Sequence, residues 1–209
     1  MSTQTKSIVA VIDYGMGNLH SVLGALRYLG ADPVISADPA IVQAADALLL
    51  PGVGSFHKAM CRLDESGLSD ALKEAVTVRG RKVLGICLGQ QLMAEFGEED
   101  GGHVGLGFVS GQVTRLPIMA GRKVPHVGFN KVRFAPGSRL CRGLGTDLDY
   151  YFVHSYRLEM VDRPGLSGIC DYGGEFVAAY EHENIFATQF HPEKSQTNGL
   201  RLLSNFLAE

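Results

Sequence analysis

Between residues 7 and 96 the hydrophobic pattern switches repeatedly from short β-branched runs to stretches spaced for one face of a helix, a rhythm few folds accommodate. "SIVAVID" (7–13) reads as a buried strand. It turns at "YGMGN" into "LHSVLGALRYLG", where Leu19, Val22, Leu23, Leu26 and Leu29 mark one helical face and Gly30 ends it. "PVIS" reads as a second strand, "PAIVQAA" as a small helix, and "DALLLPGVG" as a third strand running into a turn. Residues 64–79 have helical spacing, and "RKVLGIC" is another apolar strand leading into the helix "GQQLMAEF". This alternation predicts a parallel α/β sheet flanked by helices. From about Gly105 the texture changes. "GFVSGQVTRL", "KVPHVGFNKVRF", "YYFVHSYRL", "FVAAYEH" and "IFATQFHPE" are strand-like with few helices between them, so an antiparallel or mixed extension is expected. A closing helix, "NGLRLLSNFLAE", follows. No linker, repeat or low-complexity tract interrupts the chain, which predicts a single domain over 1–209.

Composition removes several function classes. Hydrophobic residues at 45% and charged residues at 20% fit a soluble globular protein with a full-sized core. With a net charge of −3 and scattered Lys and Arg, neither nucleic acid nor an anionic membrane is an expected partner. The start, "MSTQTKSIVAVIDYG", holds too short an apolar run for a signal segment or a membrane span. Cys61, Cys87, Cys141 and Cys170 lie far apart with no C-x-x-C pair. That argues against a disulfide framework and a zinc site, and fits a reducing cytoplasm.

One of these cysteines has a special setting. In "LGICLGQQLM" Cys87 stands between two glycines, after a strand and before a helix. The pattern follows the logic of the G-x-S-x-G elbow, in which a strained turn presents a nucleophile and only glycine leaves room for the neighbouring backbone. The start of the helix would favour a thiolate through its aligned peptide dipoles and offer free N–H groups to an oxyanion. A lone G-x-C-x-G is equally compatible with a buried core cysteine. The other three cysteines lack this setting and read as structural.

A cysteine nucleophile needs a base, and the base needs an orienter. "TQFHPEKS" offers His191 and Glu193, two apart in a segment that Pro192 steers away from helix, so both side chains are expected to point the same way. His20, His57, His103, His126, His154 and His182 have no such company and read as polar fillers. In "LLLPGVGSF" the strand end and two glycines free the backbone amides of Gly52 and Val53. That segment suits a phosphate cradle, an oxyanion hole or a plain turn, although it lacks the G-x-x-x-x-G-K-S/T pattern. "DYGMGN" lacks the third glycine of a dinucleotide fingerprint, so no nicotinamide cofactor is expected.

"PGVGSF", "GICLGQQ", "PHVGFN", "YFVHSY" and "QFHPEKS", in this order, resemble the class I glutamine amidotransferases, and within them the glutaminase subunits of imidazole glycerol phosphate synthases. The resemblance spans nearly the whole chain. It implies a flavodoxin-like α/β fold and hydrolysis of glutamine to glutamate and ammonia without a cofactor. It also implies a (β/α)8 cyclase partner that receives the ammonia through a tunnel and acts in histidine biosynthesis. Carried over by position, Cys87 is the nucleophile, His191 the base and Glu193 its orienter. The amides of Val53, beside Gly52, and of Leu88 form the oxyanion hole. Gln91, Glu99, Ser155 and Tyr156 hold the glutamine, and Asn18, Phe129, Tyr151 and Lys194 meet the partner. Gln90 stands where such chains usually have methionine, and Phe129 where they usually have tryptophan. Paralogues that feed ammonia to other synthases, such as sugar amidotransferases, are the alternative within the family. A cysteine peptidase, a chaperone-like relative or a non-catalytic binding module are the alternatives outside it.

Overall fold

Val9–Ile12 is buried at all four positions, as a strand covered on both faces must be, and it forms β1 of the computed structural model, which describes residues 8–145, 147–160 and 164–209. Ser7, the first residue of the expected strand, lies outside the described residues. The predicted rhythm follows: α1 (Leu19–Tyr28), β2 (Pro33–Ser36), α2 (Pro39–Ala44) and β3 (Ala47–Gly52). Asp38 caps α2 by accepting a hydrogen bond from the Ala40 amide at 2.9 Å, with Pro39 at the first helical position. Next come α3 (Phe56–Glu65), α4 (Leu68–Lys73), β4 (Lys82–Cys87) and α5 (Leu88–Leu92).

The strand-rich half holds β5 (Phe96–Gly97), β6 (His103–Val104), β7 (Gln112–Arg115), β8 (His126–Phe134), β9 (Asp147–His154), β10 (Tyr156–Glu159), β11 (Leu166–Asp171), β12 (Glu175–His182) and β13 (Ile185–Thr188). Helix α6 (Gln196–Ala208) closes the chain. A nine-stranded sheet runs β2-β1-β3-β4-β13-β12-β11-β8-β9. The pairings from β2 to β13 are parallel and the rest antiparallel, which is the expected change of texture. A four-stranded sheet, β10-β7-β5-β6, lies apart from it.

Two apolar layers cover the large sheet. On one face Leu23 and Leu26 of α1 join Leu202, Leu203 and Phe206 of α6; on the other, Met60, Leu72 and Leu92 of the short helices pack with Leu158 of β10. Each fully buried Leu or Phe contributes about 1.5–3 kcal/mol relative to an exposed one.

The local expectations failed in several places, each for a physical reason. The helical spacing at 64–79 is broken: α3 starts earlier, at Phe56, and Gly67 interrupts the run with a left-handed φ of 72°. A π-helical turn over Glu74–Val78 then follows α4. "GQQLMAEF" is helical only to Leu92, because Phe96 is drawn into β5 beside β7. "YYFVHSYRL" is two strands, since the chain crosses from one sheet to the other at Ser155. Strand β11 has no counterpart among the expected elements; its polar and apolar residues alternate too irregularly to signal a strand.

Gln90 is a local misfit. It is fully buried on α5, its Nε2 lies 3.5 Å from the Val177 carbonyl, and among the described residues its Oε1 finds no donor. An unsatisfied buried polar atom costs about 1–3 kcal/mol. Gln90→Met, similar in volume, should therefore raise the urea unfolding midpoint while leaving the rate of Cys87 alkylation unchanged. A lower midpoint would show that the amide is satisfied after all.

Candidate active site

Because β1, β3, β4 and β13 are parallel, their carboxyl ends share one edge, and "DYGMGN", "PGVG", Cys87 and "HPEKS" all leave the sheet there. Cys87 ends β4 with φ 55° and ψ −108°, a strained conformation for a residue with a side chain, and α5 begins at the next residue. The flanking glycines are obligatory. A Cβ on Gly89 would run into the Leu50 carbonyl, and one on Gly85 would lie 2.7 Å from the Gly89 oxygen. The Cys87 sulfur is nearly buried, 3.8 Å from both the Val153 carbonyl and the Gln189 side-chain amide. Of the other cysteines, burial and the neighbouring Asp171 push the Cys170 thiol up to about 12, Cys141 is buried in the core, and Cys61 lies on α3.

His191 is extended, as expected, but Glu193 lies on a 3-10 turn, Pro192–Lys194, rather than on a continued strand. The turn brings Glu193 Oε1 to 2.8 Å from His191 Nδ1, with both side chains buried. Burial alone would lower the imidazole pKa; the Cys87 sulfur and then the Glu193 carboxylate outweigh it and lift the ring to about 9. Among the described residues His191 Nε2 makes no hydrogen bond. The backbone is clamped: the His191 amide donates to the Tyr151 carbonyl at 2.9 Å, and Ser195 Oγ donates to the His191 carbonyl at 2.6 Å. Glu193→Gln should lower the His191 titration midpoint, because it removes the carboxylate that helps hold the proton. Ring nitrogen NMR should find the parent imidazole still protonated at pH 8 and the variant's largely neutral; equal midpoints would exclude the carboxylate as the cause.

A cavity of about 440 Å³ opens over the thiol. Val53, Leu88, Gln91, Glu99, Ser155 and Tyr156 all line it. Glu99 is tethered, accepting a hydrogen bond from the Phe56 amide at 2.8 Å; burial raises its carboxyl pKa and that amide opposes the rise. Gln91 Nε2 is engaged internally, by the Tyr156 carbonyl at 2.9 Å and Gln189 Oε1 at 3.0 Å, so only its oxygen remains for a ligand. Gly52 lies behind the wall and pairs in register with Cys87. A Cβ there would strike the Tyr14 hydroxyl, which donates to the Pro51 carbonyl at 3.0 Å. Burial, with Cys87 adding, raises the Tyr14 pKa and keeps it a donor.

Sequence reasoning missed Tyr14, Gln189 and His154, which lie close to the thiol or the cavity, and His126, which contacts His154. The two histidines read as fillers in the sequence alone. They face each other across β8 and β9, a pairing invisible without the register, although both fall within segments that carry the family resemblance.

Three of the four expected partner-facing residues form one surface group. Phe129 is half exposed and packs edge-on against Tyr151, ring centroids 5.6 Å apart, and Lys194 Nζ sits 5.9 Å from the Tyr151 ring centre. Asn18 immediately precedes α1, and its amide donates to Ser21. Among the described residues no group of three His, Cys, Asp or Glu side chains converges as metal ligands, and no helix is long and apolar enough to cross a membrane.

The geometry agrees with what the chain is similar to. The family model for glutamine amidotransferase class-I matches residues 10–209. The chain is 47% identical to an imidazole glycerol phosphate synthase subunit HisH 1 of Campylobacter jejuni, over 95% of this chain and 98% of that one. It is also 47% identical to the HisH subunit of Moorella thermoacetica, over 95% and 93%. A candidate GMP synthase subunit from Thermoplasma acidophilum shares the fold at a TM-score of 0.75 and 22% identity, covering 98% of this chain and 94% of its own. The chain belongs to the class-I glutamine amidotransferase family.

Proposed function

We propose that this chain is the glutaminase subunit of an imidazole glycerol phosphate synthase. It hydrolyses glutamine to glutamate and ammonia and passes the ammonia to a (β/α)8 cyclase subunit in a 1:1 complex in the cytoplasm. The Cys87 thiolate attacks the glutamine carboxamide, and the amides of Val53 and Leu88 receive the oxyanion. His191, protonated at neutral pH, gives its proton to the leaving ammonia, and a γ-glutamyl thioester remains on Cys87. His191 then takes a proton from the water that releases glutamate. Glu99 and the Ser155–Tyr156 backbone hold the amino-acid end of the substrate.

The observation that carries the reading is the near-full-length identity to synthase subunits in a chain that also sets Cys87, His191 and Glu193 at one sheet edge. Phe129, Tyr151 and Lys194 lie beside that edge, and the interface proposed there buries on the order of 1,200–2,000 Å². The test is ammonia release from glutamine, with and without the cyclase subunit of the same genome and its nucleotide ligand. Release that depends on both proteins, with co-migration at micromolar concentration, is expected. A chain that migrates alone beside that cyclase would overturn the partner, and one that never releases ammonia would overturn the reaction.

A further inference from the structure

Two buried histidines have no part in the chemistry just described, yet one of them lines the cavity. His154 is the last residue of β9 and His126 the first of β8, directly opposite each other across the ladder. His126 Nδ1 is 3.0 Å from His154 Nε2, and His154 Nδ1 is 2.8 Å from the Tyr156 carbonyl oxygen. A carbonyl only accepts, so His154 must carry its proton on Nδ1. Its Nε2 is then an acceptor, so His126 must carry its proton on Nδ1 as well. The arrangement admits one tautomer of each ring. Stacking fixes the second ring in place, since His126 lies between Tyr172 and Phe152, with centroids 3.8 and 4.7 Å away. Burial holds both rings neutral: it pushes His126 down to about 4, with Arg122 adding, and His154 down to about 3 against the pull of the Tyr156 carbonyl.

The far end of this relay is a wall of the cavity. Leu116 donates its amide to the Ser155 carbonyl at 2.8 Å, while Tyr156 pairs with Arg115. In an antiparallel ladder that combination makes Tyr156 a non-hydrogen-bonded position, so its own N–H and C=O turn away from β7. β10 is the edge strand of its sheet, and on that side lie Gln91, His154 and the cavity. The Tyr156 carbonyl accepts from both Gln91 Nε2 and His154 Nδ1, which fixes the residue's orientation and with it the direction of the Tyr156 amide.

We propose that the neutral His126–His154 pair is a positioning device for substrate: it holds the Tyr156 amide as a donor for the α-carboxylate of glutamine. The proposal rests on the glutaminase reading and deepens it. Neither histidine touches the reacting carboxamide, so the pair acts on binding and not on the bond-breaking step.

Alkylation of Cys87 in the full-length chain by 6-diazo-5-oxo-L-norleucine, an amino acid with glutamine's α-groups, separates binding (KI) from reaction (kinact). His154→Leu removes the donor to Tyr156. His154→Asn loses the same ring packing but places an amide N–H near the Nδ1 position. The expected result is a KI raised about tenfold in His154→Leu with kinact within about threefold of the parent, and a KI within about threefold of the parent in His154→Asn. His126→Leu should raise KI by about threefold, because it unlocks the tautomer without deleting the donor. An unchanged KI in His154→Leu, or losses in the asparagine variant as large as in the leucine variant, would overturn the proposal and leave the pair as packing. If the parent chain is not saturably labelled at Cys87, the glutaminase reading fails and the proposal falls with it.

Discussion

Cys87→Ala should lower glutamine turnover by roughly 10⁴–10⁶-fold, the usual cost of deleting a nucleophile from a catalytic triad, with little change in stability. The asymmetry follows from the elbow. Alanine removes one sulfur atom from a nearly buried site and keeps a Cβ at the same φ of 55°, so backbone strain is unchanged and the lost packing amounts to about 1 kcal/mol. Gly89→Ala should also abolish turnover but by a different route, because its Cβ meets the Leu50 carbonyl and the elbow cannot close. Ammonia release, glutamine binding and the urea midpoint, measured on both variants, separate the two causes. Cys87→Ala should still bind glutamine and unfold near the parent midpoint; Gly89→Ala should lose stability and binding together. A Cys87→Ala chain that retained even about 1% of parental turnover, far above the residue left by losing a nucleophile, would move the chemistry to another residue. Labelling of Cys61, Cys141 or Cys170 by the diazo-ketone would then name it.

Much of this was legible in the sequence, because the strong signals are local. The first strands and helices are written in hydrophobic period, and the elbow in three residues whose spacing has a steric reason. His191 and Glu193 were legible as a pair, although their contact depends on a 3-10 turn and not on strand alternation. What escaped was set by tertiary pairing. His126 meets His154 only because β8 and β9 adopt one register. Gln189 reaches the thiol only because β13 lies beside β4. Tyr14 and Gly52 constrain each other across two neighbouring strand ends, which no window along the chain connects. The break at Gly67 was visible as a glycine but outvoted by the helical spacing around it.

The second large effect is expected when the partner is removed. The isolated chain should hydrolyse glutamine about 10²–10³-fold more slowly than the complex with its nucleotide ligand, the cost of one missing oxyanion donor, with KM changed by less than about threefold. The reason lies in how the "PGVG" segment is held. Upstream it is anchored: Leu50 and Pro51 pair with β4, and the Tyr14 hydroxyl holds the Pro51 carbonyl. The ladder with β4 ends at Gly52, opposite Cys87. Beyond it Val53 is 41% exposed, and Gly54 takes a φ of 111° open only to glycine. The Gly52–Val53 peptide thus sits between a fixed end and a free one, with glycines on both sides of Val53 and little to oppose its rotation. With its carbonyl turned inward it presents an acceptor to a developing negative charge; with its N–H inward it completes the hole. A partner docked over this edge favours the second state only through contacts that differ between the two, and the exposed Val53 side chain offers such a contact. In the proposed reading glutamine's α-groups are held by Glu99 and the Ser155–Tyr156 backbone and not by this peptide, so binding should not report the change. Steady-state kcat and KM, for the chain alone and with the liganded cyclase, decide the matter. A full rate from the chain alone would mean that the peptide already points its N–H inward, leaving the triad and a preformed hole as the whole of the glutaminase machinery.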